Sequence, residues 1–220
     1  VVPTGNFGDI LAGYFAKKMG LPVREDVPVI GIVTRLAEQK GIAEIFAPGY
    51  GSMYDMCTKM DVQFAVLGSG ESWCENEINV LQSKLPNMRA YIGYDDALSH
   101  LIEAGSDFFL MPSKYEPCGL NQIYSMLYGT LPIVRRTGGL ADTVANYNEN
   151  NADGTGFVFD NLTPRAVFDT VGWAVWAYYN KKQDIRKMQL RGMDTTFSWD
   201  SAANGYLEVY KEALSRGCGI

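Results

Sequence analysis

Histidine occurs once in this 220-residue chain, at His100, and the four cysteines, Cys57, Cys74, Cys118 and Cys218, form no Cys-x-x-Cys pair. Zinc held by cysteine and histidine needs clustered ligands, so no such metal site is expected. So few cysteines in a chain of this size do not make a disulfide framework; reduced thiols in a cytoplasm-like compartment are the expectation. Positive charge is also short: 19 Lys+Arg stand against 25 Asp+Glu, for a formal net charge of -6. A surface that coats nucleic acid shows as basic excess, so a nucleic-acid partner is not expected, and only a local phosphate pocket stays open. No apolar run approaches the ~20 residues of a membrane span. The opening Val1-Val2-Pro3-Thr4-Gly5 lacks the basic and apolar stretches of a secretion signal. Also missing are a Gly-x-Gly-x-x-Gly fingerprint and the Gly-Lys-Ser/Thr of a P-loop.

What is present is a globular composition, 47% hydrophobic and 20% charged, which argues against global disorder. Short β-branched and aromatic runs recur: Val29–Val33, Val62–Leu67, Met88–Ile92, Asp107–Met111, Leu131–Val134 and Gly156–Phe159. Between them lie segments with helical spacing, such as Glu75–Leu81 and Ala97–Ile102. This β–α alternation predicts an α/β fold, a Rossmann-like parallel sheet with helices on both faces. Pro164 stands near a helix start, with Val167, Val171, Ala174 and Val175 spaced for one buried face, and Ser198-Trp199-Asp200 opens a final amphipathic helix through Tyr206 and Tyr210. The Tyr178-Tyr179 pair, Trp173 and Trp176 read as helix packing, and His100 as a structural residue on a helix. Most strands end in small or special residues, and ligands of open α/β sheets sit off those carboxyl ends.

Three constellations stand at these ends. Arg35 and Lys40, five apart in Thr34-Arg35-Leu36-Ala37-Glu38-Gln39-Lys40-Gly41, can point at one diphosphate or can both be solvated surface cations. Glu116-Pro117-Cys118-Gly119-Leu120-Asn121-Gln122 lies between a strand and an apolar helix. Its leading amides can face an anion, and its carboxylate can bind sugar hydroxyls or stabilise a cationic transition state; an ordinary capped helix with a surface glutamate is the alternative. Cys118 has no histidine placed by sequence to activate it, and reads as a small buried residue. Thr137-Gly138-Gly139 and Gly68-Ser69-Gly70 are glycine turns that packing alone explains equally well.

Taken in order, Thr34-Arg35-Leu36…Gln39-Lys40-Gly41, Val66–Gly70, Tyr91–Tyr94, Pro112–Gln122, Arg135–Thr143, Gly154–Phe159 and Phe197-Ser198-Trp199 resemble the carboxyl-terminal domain of bacterial glycogen synthase and plant starch synthase. The resemblance runs from about Gly20 to Leu214. It implies the two-domain glycosyltransferase B fold, with ADP-glucose, or UDP-glucose in some members, as donor. It further implies glucose transfer, with retention, to the 4-hydroxyl of an α-1,4-glucan acceptor. Arg35 and Lys40 would neutralise the diphosphate leaving group with no metal or other cofactor required. Glu116 would bind the donor glucose and favour oxocarbenium charge. The backbone of Cys118, Gly119, Leu120 and Asn121 would cradle sugar and phosphate, Tyr94 with Gly68, Ser69 and Gly70 would line the nucleotide end, and Thr137, Gly138 and Gly139 would border the donor. A cytoplasmic setting follows, or a plastid stroma for a plant-type parent.

The pattern departs from the family in places. Many relatives carry arginine at position 114 and threonine at 121, where this chain has Lys114 and Asn121, and a second glutamate eight residues after the first is here Tyr124, so ribose recognition by a carboxylate is not expected. The Lys-x-Gly-Gly-Leu loop of the family's amino-terminal, acceptor-side domain is not in the sequence, so weak nucleotide binding and little or no transfer are expected of the chain alone. Residues 1–22, with Gly5-Asn6-Phe7-Gly8, resemble instead a segment of threonine synthase whose loop holds the phosphate of pyridoxal phosphate. No Schiff-base lysine context follows, so pyridoxal phosphate chemistry is not expected. A chimera is the expectation: a foreign strand–loop–helix over 1–22 joined near Gly20-Leu21-Pro22 to a nucleotide-sugar-binding domain over 23–220. A different retaining nucleotide-sugar transferase and a non-enzymatic chimeric scaffold remain as alternatives.

Overall fold

The computed structural model describes Arg24 and residues 26–217. The strand–turn–helix expected over 1–22 and its junction lie outside the described residues. Six strands form one parallel sheet: β1 (Val29–Val33), β2 (Gln63–Gly68), β3 (Met88–Ile92), β4 (Phe108–Met111), β5 (Leu131–Arg135) and β6 (Phe157–Phe159). Their order is β3-β2-β1-β4-β5-β6. In register, Ile30 faces Phe64 on one side and Phe108 on the other. Every apolar run of the sequence became a strand because both sheet faces are covered, which rewards continuous rather than alternating hydrophobicity.

The helices are α1 (Ile42–Phe46), α2 (Met53–Lys59), α3 (Ser72–Lys84), α4 (Asp96–Gly105), α5 (Asn121–Tyr128), α6 (Gly138–Thr143), α7 (Pro164–Asn180), α8 (Lys182–Asp194) and α9 (Trp199–Gly217). One sheet face, through Ile30, Ile32, Phe64, Val66, Phe108, Ile133 and Phe157, packs on residues of α1, α2, α3, α7 and α8. Phe46, Phe64, Phe108, Phe109 and Phe157 are fully buried, each contributing about 1.5–3 kcal/mol of apolar transfer. The opposite face is met by α4 through Ile102, and by α5 and α6 through Met126 and Leu140. At the centre of that face β1 carries Gly31, where a Cβ would stand 2.7 Å from Ser106 Oγ; the missing side chain lets α4 lie close on the sheet.

Pro164 does begin α7, whose N-cap Thr163 accepts a hydrogen bond from the Ala166 amide. Trp173 packs edge-on to Phe157 and Tyr178 edge-on to Phe108 as expected, whereas Trp176 and Tyr179, expected to pack with them, are exposed. The final helix α9 forms as expected, but Tyr206 and Tyr210 of its apolar stripe are exposed together with Leu207, Val209 and Leu214. Among the described residues no helix is long and apolar enough to cross a membrane.

Sequence order reverses between β1 and β4, and there the connections leave the sheet in opposite directions, opening a crevice at the carboxyl ends. The chain leaving β1 stays tied to β2: Thr34 N–H donates to Leu67 O and Leu36 N–H to Ser69 O, while Glu71 N–H returns to Leu36 O.

Candidate functional site

The crevice has two lobes. The first, about 350 Å³, is lined among others by Arg35, Lys40, Ser113, Glu116, Gly119 and Asn121. The second, about 280 Å³, is lined among others by Gly68, Ser69, Tyr94, His100, Glu103 and Tyr124. Val33, Thr34, Arg35 and Asn121 border both.

Lys40 reaches the first lobe from a 3₁₀ turn, Glu38–Lys40, closed by Gly41 in the left-handed region at φ 70°. A Cβ at Gly41 would lie 2.2 Å from Pro112 O, so the turn presses directly on the end of β4. Gln39 fastens it there: its side-chain amide donates to Tyr115 O at 3.1 Å, and its carbonyl accepts from the Lys114 amide at 2.8 Å. The result brings Lys40 Nζ onto Glu116 Oε2, with the two side chains only 18% and 11% exposed. Ser113 Oγ approaches the same oxygen at 3.4 Å. Five residues separate Arg35 from Lys40, but the turn aims both at one cavity.

The Glu116 segment is braced from behind. Gly139 N–H donates to Glu116 O at 2.9 Å, and Gln122 Nε2 donates to Cys118 O and Gly119 O at 3.0 and 3.1 Å. Gly119 takes φ +73°, turning the chain so that α5 opens at Asn121 with its leading amides toward the lobe. Asn121 Nδ2 donates to Val33 O at 3.3 Å and ties that helix start to β1. Cys118 Sγ stays beside its own loop, 3.4 Å from Gly119 O.

In the second lobe Tyr94 stands at the mouth, 85% exposed. Behind it α4 is capped by the Asp95 carboxylate, which accepts from Leu98 N–H. His100 does sit on α4 as the sequence predicts, between the rings of Tyr124 and Tyr128 at 5.9 and 6.4 Å, yet it also borders the cavity. Its Nδ1 is 3.3 Å from Glu103 Oε2, close enough to attract but misaligned for a hydrogen bond. Burial pushes the Glu103 carboxyl up to about 7, against the lowering pull of His100.

That shift has a definite sign. The folded state holds the Glu103 proton more firmly than the unfolded chain does, so the associated stability is complete below pH ~4.5 and is lost as pH rises through about 7. Urea unfolding at pH 5 and pH 8 will show the parent losing roughly 2–3 kcal/mol more over that interval than Glu103→Gln; parallel losses in both would remove Glu103 as the cause.

Of the residues singled out from sequence, Arg35, Lys40, Glu116, Gly119, Leu120 and Asn121 line the first lobe, and Gly68, Ser69 and Tyr94 the second. Cys118, Thr137, Gly138 and Gly139 line neither lobe; Gly138 and Gly139 pack on Glu116 O and Cys118 O, Cys118 is exposed rather than buried as expected, and Gly70 bridges to Leu36 beside the second lobe. The sequence reading did not find the cavity-lining roles of Ser113, Asp95, Ser99, His100 and Glu103. Strand-end position would have flagged Ser113; the helix residues carry no motif of their own. Among the described residues no group of three or more His, Cys, Asp or Glu is placed to hold a metal ion.

Known proteins resemble this chain in sequence and architecture. The family pattern described as Glycosyl transferases group 1 matches residues 16–176. A glycogen synthase of Treponema denticola is 60% identical over 200 residues, 91% of this chain and 41% of that protein. One from Geobacter metallireducens is 46% identical over 204 residues, 92% of this chain and 40% of that protein. The solved catalytic domain of starch synthase IV from Arabidopsis thaliana, bound to ADP and acarbose, superposes with a TM-score of 0.79 at 30% identity, covering 94% of this chain and 43% of its own. The chain thus spans about two fifths of the length of the curated relatives.

Proposed function

The chain belongs to the group 1 glycosyl transferases, and from that membership we propose that it is the donor-binding domain of a retaining α-1,4-glucan synthase of the glycogen and starch synthase type. The observation that carries this reading is the convergence of Arg35, Lys40, Glu116 and the start of α5 on one cavity at the strand-order reversal. ADP-glucose is the proposed donor, supported by likeness to a starch synthase solved with ADP.

In this reading the diphosphate lies between Arg35, at the junction of the lobes, and Lys40 in the first lobe. Two unit charges ~4 Å apart attract by about 4 kcal/mol at an effective dielectric of 20, and the developing charge on the departing diphosphate strengthens that attraction as the glycosidic bond breaks. The leading amides of α5 add aligned dipoles at the same place. Glu116 stands beside the glucose, accepting from its hydroxyls and favouring positive charge at the anomeric carbon. Lys40 is paired with Glu116 before donor arrives, so binding exchanges one anionic partner for another. Transfer to the 4-hydroxyl at a glucan's non-reducing end is proposed of the whole protein, with the acceptor and the exclusion of water supplied by a second wall of the cleft.

Titration of the chain with ADP, UDP and GDP, followed by thermal unfolding, tests the donor reading. Ligand that binds only the folded state stabilises it by about 2.7 kcal/mol at a hundredfold excess over Kd, so ADP is expected to raise the midpoint, and UDP to raise it less. Preference for GDP would instead mark a different retaining transferase, and no response to any of the three would overturn nucleotide-sugar binding.

A further inference from the structure

The second lobe is chemically unlike the first. Asp95, Asp96 and Glu103 are its carboxylates, with His100 on the same helix and Arg35 only at the border with the first lobe. Such a wall repels phosphate and suits a neutral group rich in donors. Of these carboxylates, Asp95 is occupied as the cap of α4. Glu103 is different: its side chain is only 3% exposed, it borders the cavity, and its Oε2 faces His100 Nδ1 at 3.3 Å without making a well-formed hydrogen bond. A buried acceptor served by so poor a donor is costly, so the position has capacity for a further partner. The residue is firmly set. Thr130 Oγ1 donates to the Glu103 and Ser106 carbonyls, fastening the end of α4. The His100 ring is held between two tyrosines.

Resting on the donor reading above, we propose that Glu103 is a specificity-determining residue that accepts a hydrogen bond from a ribose hydroxyl of the bound nucleotide, with His100 steering its carboxylate. The order of groups in a nucleoside diphosphate supports ribose rather than base. On the donor reading the diphosphate meets Lys40 in the first lobe and Arg35 on the shared border, and Tyr94 offers an exposed ring in the second lobe for the base. The sugar between them therefore passes Glu103. Gly68 and Gly93 also border this lobe. Asp96 and the hydroxyls of Ser99 and Tyr124 are the other polar groups along the wall.

Calorimetric titration of the 220-residue chain with ADP, 2′-deoxy-ADP, 3′-deoxy-ADP and inosine diphosphate tests the assignment. The parent should bind ADP about tenfold more tightly than at least one deoxy analogue, and inosine diphosphate, which lacks the exocyclic amine, as well as ADP. Glu103→Met fills the same space without the acceptor; it should bind ADP and the deoxy analogues within twofold of one another. Equal affinity of the parent for ADP and both deoxy analogues would overturn the proposal without recourse to any variant. So would discrimination that persists undiminished in Glu103→Met, or selective weakness of inosine diphosphate, which would assign the contact to the base. ADP that binds well but without regard to its hydroxyls sinks this inference and leaves the donor reading standing; absence of ADP binding sinks both.

Discussion

Lys40→Ala weakens ADP binding by roughly 1–3 kcal/mol, the scale of one charge-assisted contact, or about five- to 150-fold in Kd. The same substitution strips Glu116 of its cation in a site where the carboxylate is only 11% exposed. Removing one partner of a buried pair costs up to 3–5 kcal/mol, and the residual exposure of this pair reduces that to about 1–3 kcal/mol. The two losses are separable. The double variant Lys40→Ala/Glu116→Gln removes the orphaned charge and recovers most of the stability, while the loss of ADP affinity remains. Glu116→Gln alone releases Lys40 from its resident anion and binds ADP at least as tightly as the parent. Calorimetry gives the affinities and urea unfolding the stabilities. Equal ADP affinity in Lys40→Ala and parent would count against the phosphate role, and recovery of affinity in the double variant would show that Lys40 acts only by holding the fold.

Gly139→Ala should be among the most damaging one-methyl changes near the site. An added Cβ would lie 2.0 Å from Cys118 O and 2.5 Å from its carbonyl carbon and Cα. These are backbone atoms, with no flexible side-chain end to swing away, so the loss should reach or exceed the upper end of the ~1–3 kcal/mol typical of overpacking. The displaced segment is the one that carries Glu116 and leads into α5, so ADP affinity falls with stability. Gly205→Ala, in open space on α9, is the matched control; it adds up to about 1 kcal/mol of helix propensity. Thermal unfolding of the two variants beside the parent reads both effects. A Gly139→Ala protein as stable as the control would mean that the loop yields freely, and that Thr137–Gly139 is not a brace.

Legibility in the sequence followed the physics of each element. The strands could be read because a sheet covered on both faces asks for unbroken apolar runs, and β2 is buried along its whole length. Ends shifted by up to three residues, as Glu75–Leu81 grew to Ser72–Lys84. Helices α1 and α2, of five and seven residues, are too short for a 3.6-residue period to show, and α8 buries only Ile185, Met188 and Gly192 along thirteen residues. Arg35, Lys40 and Glu116 could be named from residue type at strand ends and from family resemblance. Their mutual contact could not, because it depends on Gly41 pressing against Pro112 and on Gln39 reaching Tyr115. Thr137–Gly139 looked like a cavity border and proved to lie one layer back, since its glycines admit the backbone of Glu116–Cys118 rather than a ligand. Glu103 had no local signature: only the packing of α4 on β1 turns a helical glutamate into a buried acceptor.

The stitching of β1 to β2 beyond the sheet has a bearing on how the cleft could be re-engineered. Thr34, Leu36 and Glu71 carry ladder-like amide bonds past the last strand residues, and Gly68 and Gly70 leave no clearance for a methyl against Thr34 O and Leu36 O. That bank of the crevice is inelastic. The facing bank, from Ser113 to Leu120, is irregular backbone held by side-chain clasps from Gln39, Gln122 and Arg135 and by two amide bonds, Lys114 to Gln39 O and Gly139 to Glu116 O. Retuning this domain toward a bulkier or smaller sugar is therefore a matter of recutting the 113–120 bank and its clasps, with the Thr34–Leu36 bank kept as the fixed datum.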